Sequence, residues 1–253
     1  MRIAVVTGAS SGMGREFVLQ LSRTEKLDEI WVIARRLERL EALQKEVENV
    51  KIRPISLDLT ENTSLESYKA LLEAECPDVA ILVNASGYGR FGSFEDVPLD
   101  VHTNMIDLNV KAYVAMTYVT LPFMRAGGEI YQLDSLSSFQ PLPYIGVYGA
   151  TKSFVLSFSR AINVELKKRG IRVLAVCPGW VQTEFFDRAA KDDTITYYNR
   201  IYQPQDVIAR AIRDMKRGRD VSVCGAATRM LVLLTKLLPH RLVMRIWCKQ
   251  QKK

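Results

Sequence analysis

The chain has 253 residues, 48% of them hydrophobic, which supports a sizeable core and fits one domain over 1–253. Its formal charge of +7 comes with no nucleic-acid motif, so it reads as a solvated surface and an affinity for an anionic ligand, with no nucleic-acid partner. Repeats of solenoid period and low-complexity linkers are absent. The four cysteines, Cys76, Cys177, Cys224 and Cys248, form no CxxC pair, and His102 and His240 share no metal-ligand spacing, so no metal site is expected. With no apolar signal core behind Met1, a cytoplasmic protein is the expectation.

Strand-like and helical stretches alternate along the chain. A first strand at 3–7 runs into Thr7-Gly8-Ala9-Ser10-Ser11-Gly12-Met13-Gly14, which opens a helix at about 12–23. Glycines there let the main chain approach a ligand, and the helix start offers free N–H groups to a pyrophosphate. A second strand, 30–34, ends in Arg35-Arg36, and the next helix, 37–49, places Leu37, Leu40, Leu43 and Val47 at helical spacing. Strand 52–57 leads to Asp58-Leu59 and a helix at 62–75, then strand 79–84 leads to Asn84-Ala85-Ser86-Gly87. One long helix, 99–124, carries Asn109. Strand 129–134 ends at Ser135, and Tyr148 and Lys152 lie in the helix at 147–169. Strand 173–177 meets Pro178-Gly179-Trp180-Val181-Gln182-Thr183, and a helix at 204–217 precedes strand 221–224. Such alternation predicts a doubly wound parallel sheet of about seven strands, with helices on both faces and ligands beyond the strands' carboxyl ends.

The spacing TGxxxGxG, with Asn84-Ala85-Ser86-Gly87, Asn109, Ser135, the Tyr148/Lys152 pair and Pro178-Gly179…Thr183, resembles the classical short-chain dehydrogenase/reductase family over about residues 2–183, most of all its hydroxysteroid-dehydrogenase-like bacterial reductases. That resemblance implies a Rossmann-type domain and carbonyl–alcohol hydride transfer with a nicotinamide dinucleotide. It implies Tyr148 as acid/base, Lys152 as its electrostatic partner and a ribose ligand, Ser135 on the substrate oxygen, and Asn109 holding a water behind Lys152. The chemistry agrees with the residue types. A tyrosine is a poor acid near neutrality, and an ammonium one helical turn away lowers its pKa. Gly8, Ser10, Ser11, Gly12, Met13, Gly14, Asp58, Leu59, Asn84, Ala85, Ser86, Gly87, Pro178, Gly179, Val181 and Thr183 are the further cofactor contacts it implies.

No carboxylate ends the second strand to bind a ribose diol; Arg35 and Arg36 stand there instead, which predicts NADP(H), with Arg35 the primary phosphate contact and Arg36 in support. Ser137, Phe139, Tyr144, Trp180, Phe185 and Phe186 predict an aromatic pocket for a lipophilic carbonyl or alcohol of steroid, bile-acid or acyl-chain type. A 3-oxoacyl-carrier-protein reductase and a non-catalytic NADP-binding regulator are the alternatives. Residues 183–203, including Lys191-Asp192-Asp193, are expected to form a substrate lid. The tail at 226–253 reads as helical. Arg241, Arg245 and Lys249 recur every fourth residue beside Leu242, Val243, Ile246 and Trp247, so it is expected to cover the pocket or a neighbouring subunit, with peripheral contact to an anionic membrane as the other reading. A homo-oligomer, dimer or tetramer, completes the expectation.

Overall fold

The computed structural model describes residues 1–189 and 194–253. Runs of Val, Ile and Leu long enough to be covered on both faces form the central strands: β1 (Arg2–Thr7), β2 (Glu29–Ala34), β3 (Lys51–Ser56), β4 (Asp78–Asn84), β5 (Glu129–Leu133) and β6 (Arg172–Val176). After a two-stranded pair, β7 (Trp180–Val181) with β8 (Ile201–Tyr202), the strand β9 (Val221–Ser222) closes the sheet edge. Among the described residues the main sheet is seven-stranded and parallel, in the order β3-β2-β1-β4-β5-β6-β9. Strand order therefore reverses between β1 and β4, and a crevice opens there at the carboxyl ends of the strands.

Helices cover both faces. On one side α1 (Gly12–Thr24), α2 (Leu37–Glu46) and α8 (Pro204–Lys216) bury Phe17, Leu21, Leu40, Ile208 and Met215 against Val6, Val32 and Val83. On the other, α3 (Asn62–Glu75), α4 (Leu99–Ile106), α5 (Ala112–Thr120) and α6 (Gly146–Leu166) lie, and Tyr68, Leu72, Met116 and Leu166 meet Ile3, Val5, Trp31 and Leu82. Alternate residues of β1 thus feed opposite cores, as the strand's period of two requires. A short helix, α7 (Phe185–Ala189), sits between β7 and β8, and α9 (Ala226–Leu237) and α10 (His240–Gln250) form the tail. No described helix is long and apolar enough to cross a membrane.

Two helices differ from the periodicity reading, and the last strand stops at Ser222 rather than 224. The second helix stops at Glu46 rather than 49, because Val47 turns extended and caps it through its N–H to the Leu43 carbonyl. The long helix at 99–124 is interrupted: Asp107–Lys111 is a π-helical turn, with α4 before it and α5 after. The extra residue in that turn rotates Asn109 into the protein interior, where it is fully buried.

Candidate active site

The glycine turn closes the crevice from below. Gly8 holds φ +66°, and a Cβ there would stand 2.6 Å from the Ala85 carbonyl oxygen, so this backbone runs against the end of β4. A Cβ at Gly14 would collide with the Gly8 carbonyl itself. Gly14→Ala is therefore expected to lower unfolding free energy by about 1–3 kcal/mol, the usual cost of overpacking, as read by denaturant melting. An unchanged midpoint would show that the loop relaxes freely. Thr7 Oγ1 ties the loop to β4 by accepting from the N–H groups of Ala85 (3.0 Å) and Ser86 (3.2 Å).

Ser10, Ser11, Met13, Asp58, Leu59 and Gly87 line the resulting cleft, with Arg35 and Arg36 at its far end. Both arginines face it, each held in a different way. The Arg36 guanidinium reaches over the loop to the hydroxyls of Ser10 and Ser11, each at 3.0 Å, and to Glu184 at 3.1 Å. Arg35 is more exposed and leans on Asp58 at 3.4 Å. Glu184 also pairs with Arg39. The hydrogen bonds from Arg39 and Arg36 hold its carboxyl below the usual range. Burial pushes the Asp58 carboxyl up, but Thr60, through its N–H and hydroxyl, and Arg35 outweigh that and leave it lowered. The cleft fits a dinucleotide: it offers a helix N-terminus, a glycine backbone with no room for side chains, and cationic groups beyond the loop.

Next to the cleft, a pocket is lined by Ser135, Ser137, Tyr148 and Lys152. Ser135 precedes a 3₁₀ turn, and its Oγ accepts the Ser137 N–H at 3.1 Å, which fixes its rotamer. Tyr148, in the first turn of α6, is a hydrogen-bond partner of the Ser135 side chain. Burial raises the Tyr148 hydroxyl above its ordinary pKa, and the Ser135 hydrogen bond only partly offsets this. Lys152 is not among the groups that offset this rise. One turn on, the Lys152 ammonium donates to the Leu133 carbonyl at 2.7 Å and lies 5.9 Å from the Tyr148 ring centroid. Burial pushes Lys152 down and its neighbour Asp134 up, while their attraction opposes both shifts. Asn109 donates to the Tyr88 carbonyl (2.8 Å) and to Thr151 (3.1 Å), and its Oδ1 accepts the Tyr88 N–H (3.1 Å). These bonds pin the loop after β4 to α6.

Trp180, Phe185 and Phe186 line the same pocket, joined by Leu142, Ile145 and Trp247. Phe185 packs on Tyr148 with ring centroids 5.5 Å apart. Pro178, Gly179, Val181 and Thr183 form its floor toward the cleft. Three expected contacts lie elsewhere. Asn84 is buried behind the sheet end, donating to Thr117 and Gln132, so both N–H groups of its amide are spent on the core. Phe139 leaves the 3₁₀ turn on the side of Val223 and Val232, with Lys236 over its ring. Tyr144, at φ +68°, packs in the cluster with Phe91 and Ile195 and does not line the pocket. Lys191, Asp192 and Asp193 of the expected lid lie outside the described residues.

Asp134 and Glu184 are missing from the sequence reading. Asp134 ends an apolar strand run, and a carboxylate there is the signal that could have flagged it; its Oδ2 accepts the Cys177 thiol at 3.2 Å. Glu184 carries no such signal, because its arginine partners are distant in sequence.

The sequence pattern of the family described as short chain dehydrogenase matches residues 2–194. The chain belongs to the short-chain dehydrogenase family. It is therefore an NAD(P)-dependent oxidoreductase with a Rossmann-like fold. Its relatives include an uncharacterized oxidoreductase of Myxococcus xanthus, 34% identical over 72% of this chain and 73% of that one. Sulfoacetaldehyde reductase 2 of Chromohalobacter salexigens is 35% identical over 75% of this chain and 79% of its own length. Among solved structures, a short-chain dehydrogenase from Sphingobium yanoikuyae in complex with NADPH superposes with a TM-score of 0.81 at 27% identity, covering 92% of both chains.

Proposed function

We propose that this short-chain dehydrogenase interconverts a carbonyl and a secondary alcohol with NADP(H), on a lipophilic substrate, and that all of 1–253, tail included, serves that one site. The reading is carried by one arrangement: a half-buried tyrosine, its hydroxyl partnered by Ser135, stands in an apolar pocket adjoining the glycine-loop cleft. A bound nicotinamide supplies or accepts the hydride at the reacting carbon. Tyr148 gives its hydroxyl proton to the carbonyl oxygen during reduction and takes it back during oxidation. Ser135 donates a hydrogen bond to the same oxygen as negative charge develops there. Lys152 places positive charge behind Tyr148, favouring the phenolate, and Asn109 keeps the β4 loop and α6 in register around them. The aromatic rings of Trp180, Phe185 and Phe186 exclude water and fit an apolar body beside the carbonyl.

NADP(H) preference is supported by the two arginines at the end of β2, the absence of a carboxylate at that strand end, and the NADPH bound by the Sphingobium relative. Exposed Ile106, Val114, Tyr118 and Phe154 on α4, α5 and α6 support association with further copies. The deciding experiment is a panel of ketones and alcohols, from small to steroid-sized, run with both cofactors and scored by kcat/KM. Turnover of bulky apolar ketones with NADPH supports the reading. Activity confined to small anionic aldehydes would overturn the substrate class, and no turnover of any substrate would favour a nucleotide-binding regulator.

Trp247 offers a sharper check on the pocket. It lines the wall and donates from Nε1 to the Pro143 carbonyl at 3.0 Å. Trp247→Ala should raise KM for the best bulky substrate about tenfold, as loss of 1–3 kcal/mol of apolar contact implies, and change kcat less. An unaltered KM would place the substrate away from the tail.

A further inference from the structure

In the tail, α9 packs with its polar side inward. In α9 the buried positions are Thr228 and Thr235, with Val232 half-buried. Met230, Leu233, Leu234 and Leu237, at i, i+3, i+4 and i+7, form an exposed apolar stripe, and Leu237 is 73% exposed. An ordinary surface helix is the reverse of this. In α10 Val243 is buried, Trp247 packs on the pocket, and Leu242 and Ile246 face solvent, joined to the α9 stripe through exposed Leu238. Gln251 anchors the end by accepting the N–H groups of Thr196 (2.9 Å) and Tyr197 (3.0 Å).

The charge is distributed as unevenly. Residues 226–253 hold seven Lys and Arg and no Asp or Glu, so the whole formal charge of +7 resides in the tail. Arg229, Lys236, Arg241, Arg245, Lys249, Lys252 and Lys253 are all exposed, and among the described residues none pairs with a carboxylate. A second copy on this face by two-fold symmetry would set two such tails against each other, and like charges at close range repel. An anionic lipid surface suits both features at once, since leucines enter the acyl boundary while the cations meet the headgroups.

We propose that α9 and α10 form a peripheral docking surface for anionic membranes. The surface leads into the pocket, because Leu231 and Trp247 belong to its wall, so a lipophilic substrate enters from the lipid side. The docking stands apart from the catalytic reading, and its test uses no activity measurement to decide it.

The test is flotation of the full chain with vesicles of phosphatidylcholine alone and of phosphatidylcholine mixed with phosphatidylglycerol. Binding to the mixed vesicles only, weakened by added salt, is expected. Leu233→Glu with Leu237→Glu, at exposed positions that spare the fold, should abolish it. Arg241→Glu with Arg245→Glu should weaken it on the order of 10²-fold or more. Thermal midpoints close to that of the parent chain would keep these losses from being unfolding. Failure to float with the mixed vesicles at low salt overturns the proposal. So does a solution mass that the leucine variants reduce without any vesicle binding by the parent, which would make the face a subunit interface. Capture of an acidic acyl carrier protein in place of vesicles would also overturn it.

Discussion

Replacing Tyr148 with phenylalanine is expected to cut kcat on the best substrate by about 10²-fold or more, the usual loss when a general acid/base is removed. The substitution is nearly isosteric. The ring keeps its place against Phe185 and beneath Lys152, so packing is retained. Among the described residues the partner stranded is the Ser135 hydroxyl, which faces the pocket. NADPH affinity, measured by fluorescence titration, should stay within about threefold, since no cleft residue moves. Ser135→Ala should lose less than Tyr148→Phe, because it removes one hydrogen bond to the developing oxyanion and leaves the proton source in place. Near-normal kcat in Tyr148→Phe would sink the acid/base assignment. A parallel collapse of NADPH binding would recast Tyr148 as a binding residue.

Most of the architecture could be read from periodicity, because buried parallel strands leave continuous runs of Val, Ile and Leu that helices never need. The glycine turn and the Tyr148/Lys152 pair were equally legible, since each depends on local spacing alone. What failed depended on contacts across the chain. The π turn at Asp107–Lys111 has no signature in its residues; it exists because Asn109 gains Tyr88 and Thr151 by turning inward. Asn84 stands in the expected motif turn, yet Thr117 and Gln132 claim its amide from two other elements. Phe139 and Tyr144 lie between Ser135 and Tyr148 in sequence, but a 3₁₀ turn and a left-handed residue send them to different walls. In α9 Thr228 and Thr235 turn inward and Leu233, Leu234 and Leu237 stay exposed; Thr228 meets the Tyr202 hydroxyl at 2.6 Å, a partner that spacing along the helix does not reveal.

Cofactor choice is the other place where a large effect is expected, and the geometry says which side chains to change. Arg36 spans Ser10, Ser11 and Glu184 at the mouth of the glycine loop, so Arg36→Ala removes a guanidinium already oriented by three hydrogen bonds. Charge-assisted bonds of this kind contribute about 1.5–3 kcal/mol each. Loss of one or two to a 2′-phosphate weakens NADPH on the order of 10- to 10²-fold and leaves NADH, which lacks that group, little changed. Arg35→Asp goes further, placing at the end of β2 a carboxylate that accepts hydrogen bonds from a ribose diol and repels a phosphate. It also breaks the pair with Asp58 and sets two carboxylates together, so some loss of affinity for both cofactors is expected from that variant. The combined change should move the NADPH-to-NADH preference by about 10²-fold or more, read from dissociation constants with each cofactor and confirmed by kcat/KM. A parent chain that binds NADH as tightly as NADPH would refute the phosphate-binding role of these arginines at the outset. An Arg36→Ala variant that weakens both cofactors equally would assign Arg36 to holding the Ser10–Ser11 turn and Glu184, and leave the 2′-phosphate to Arg35.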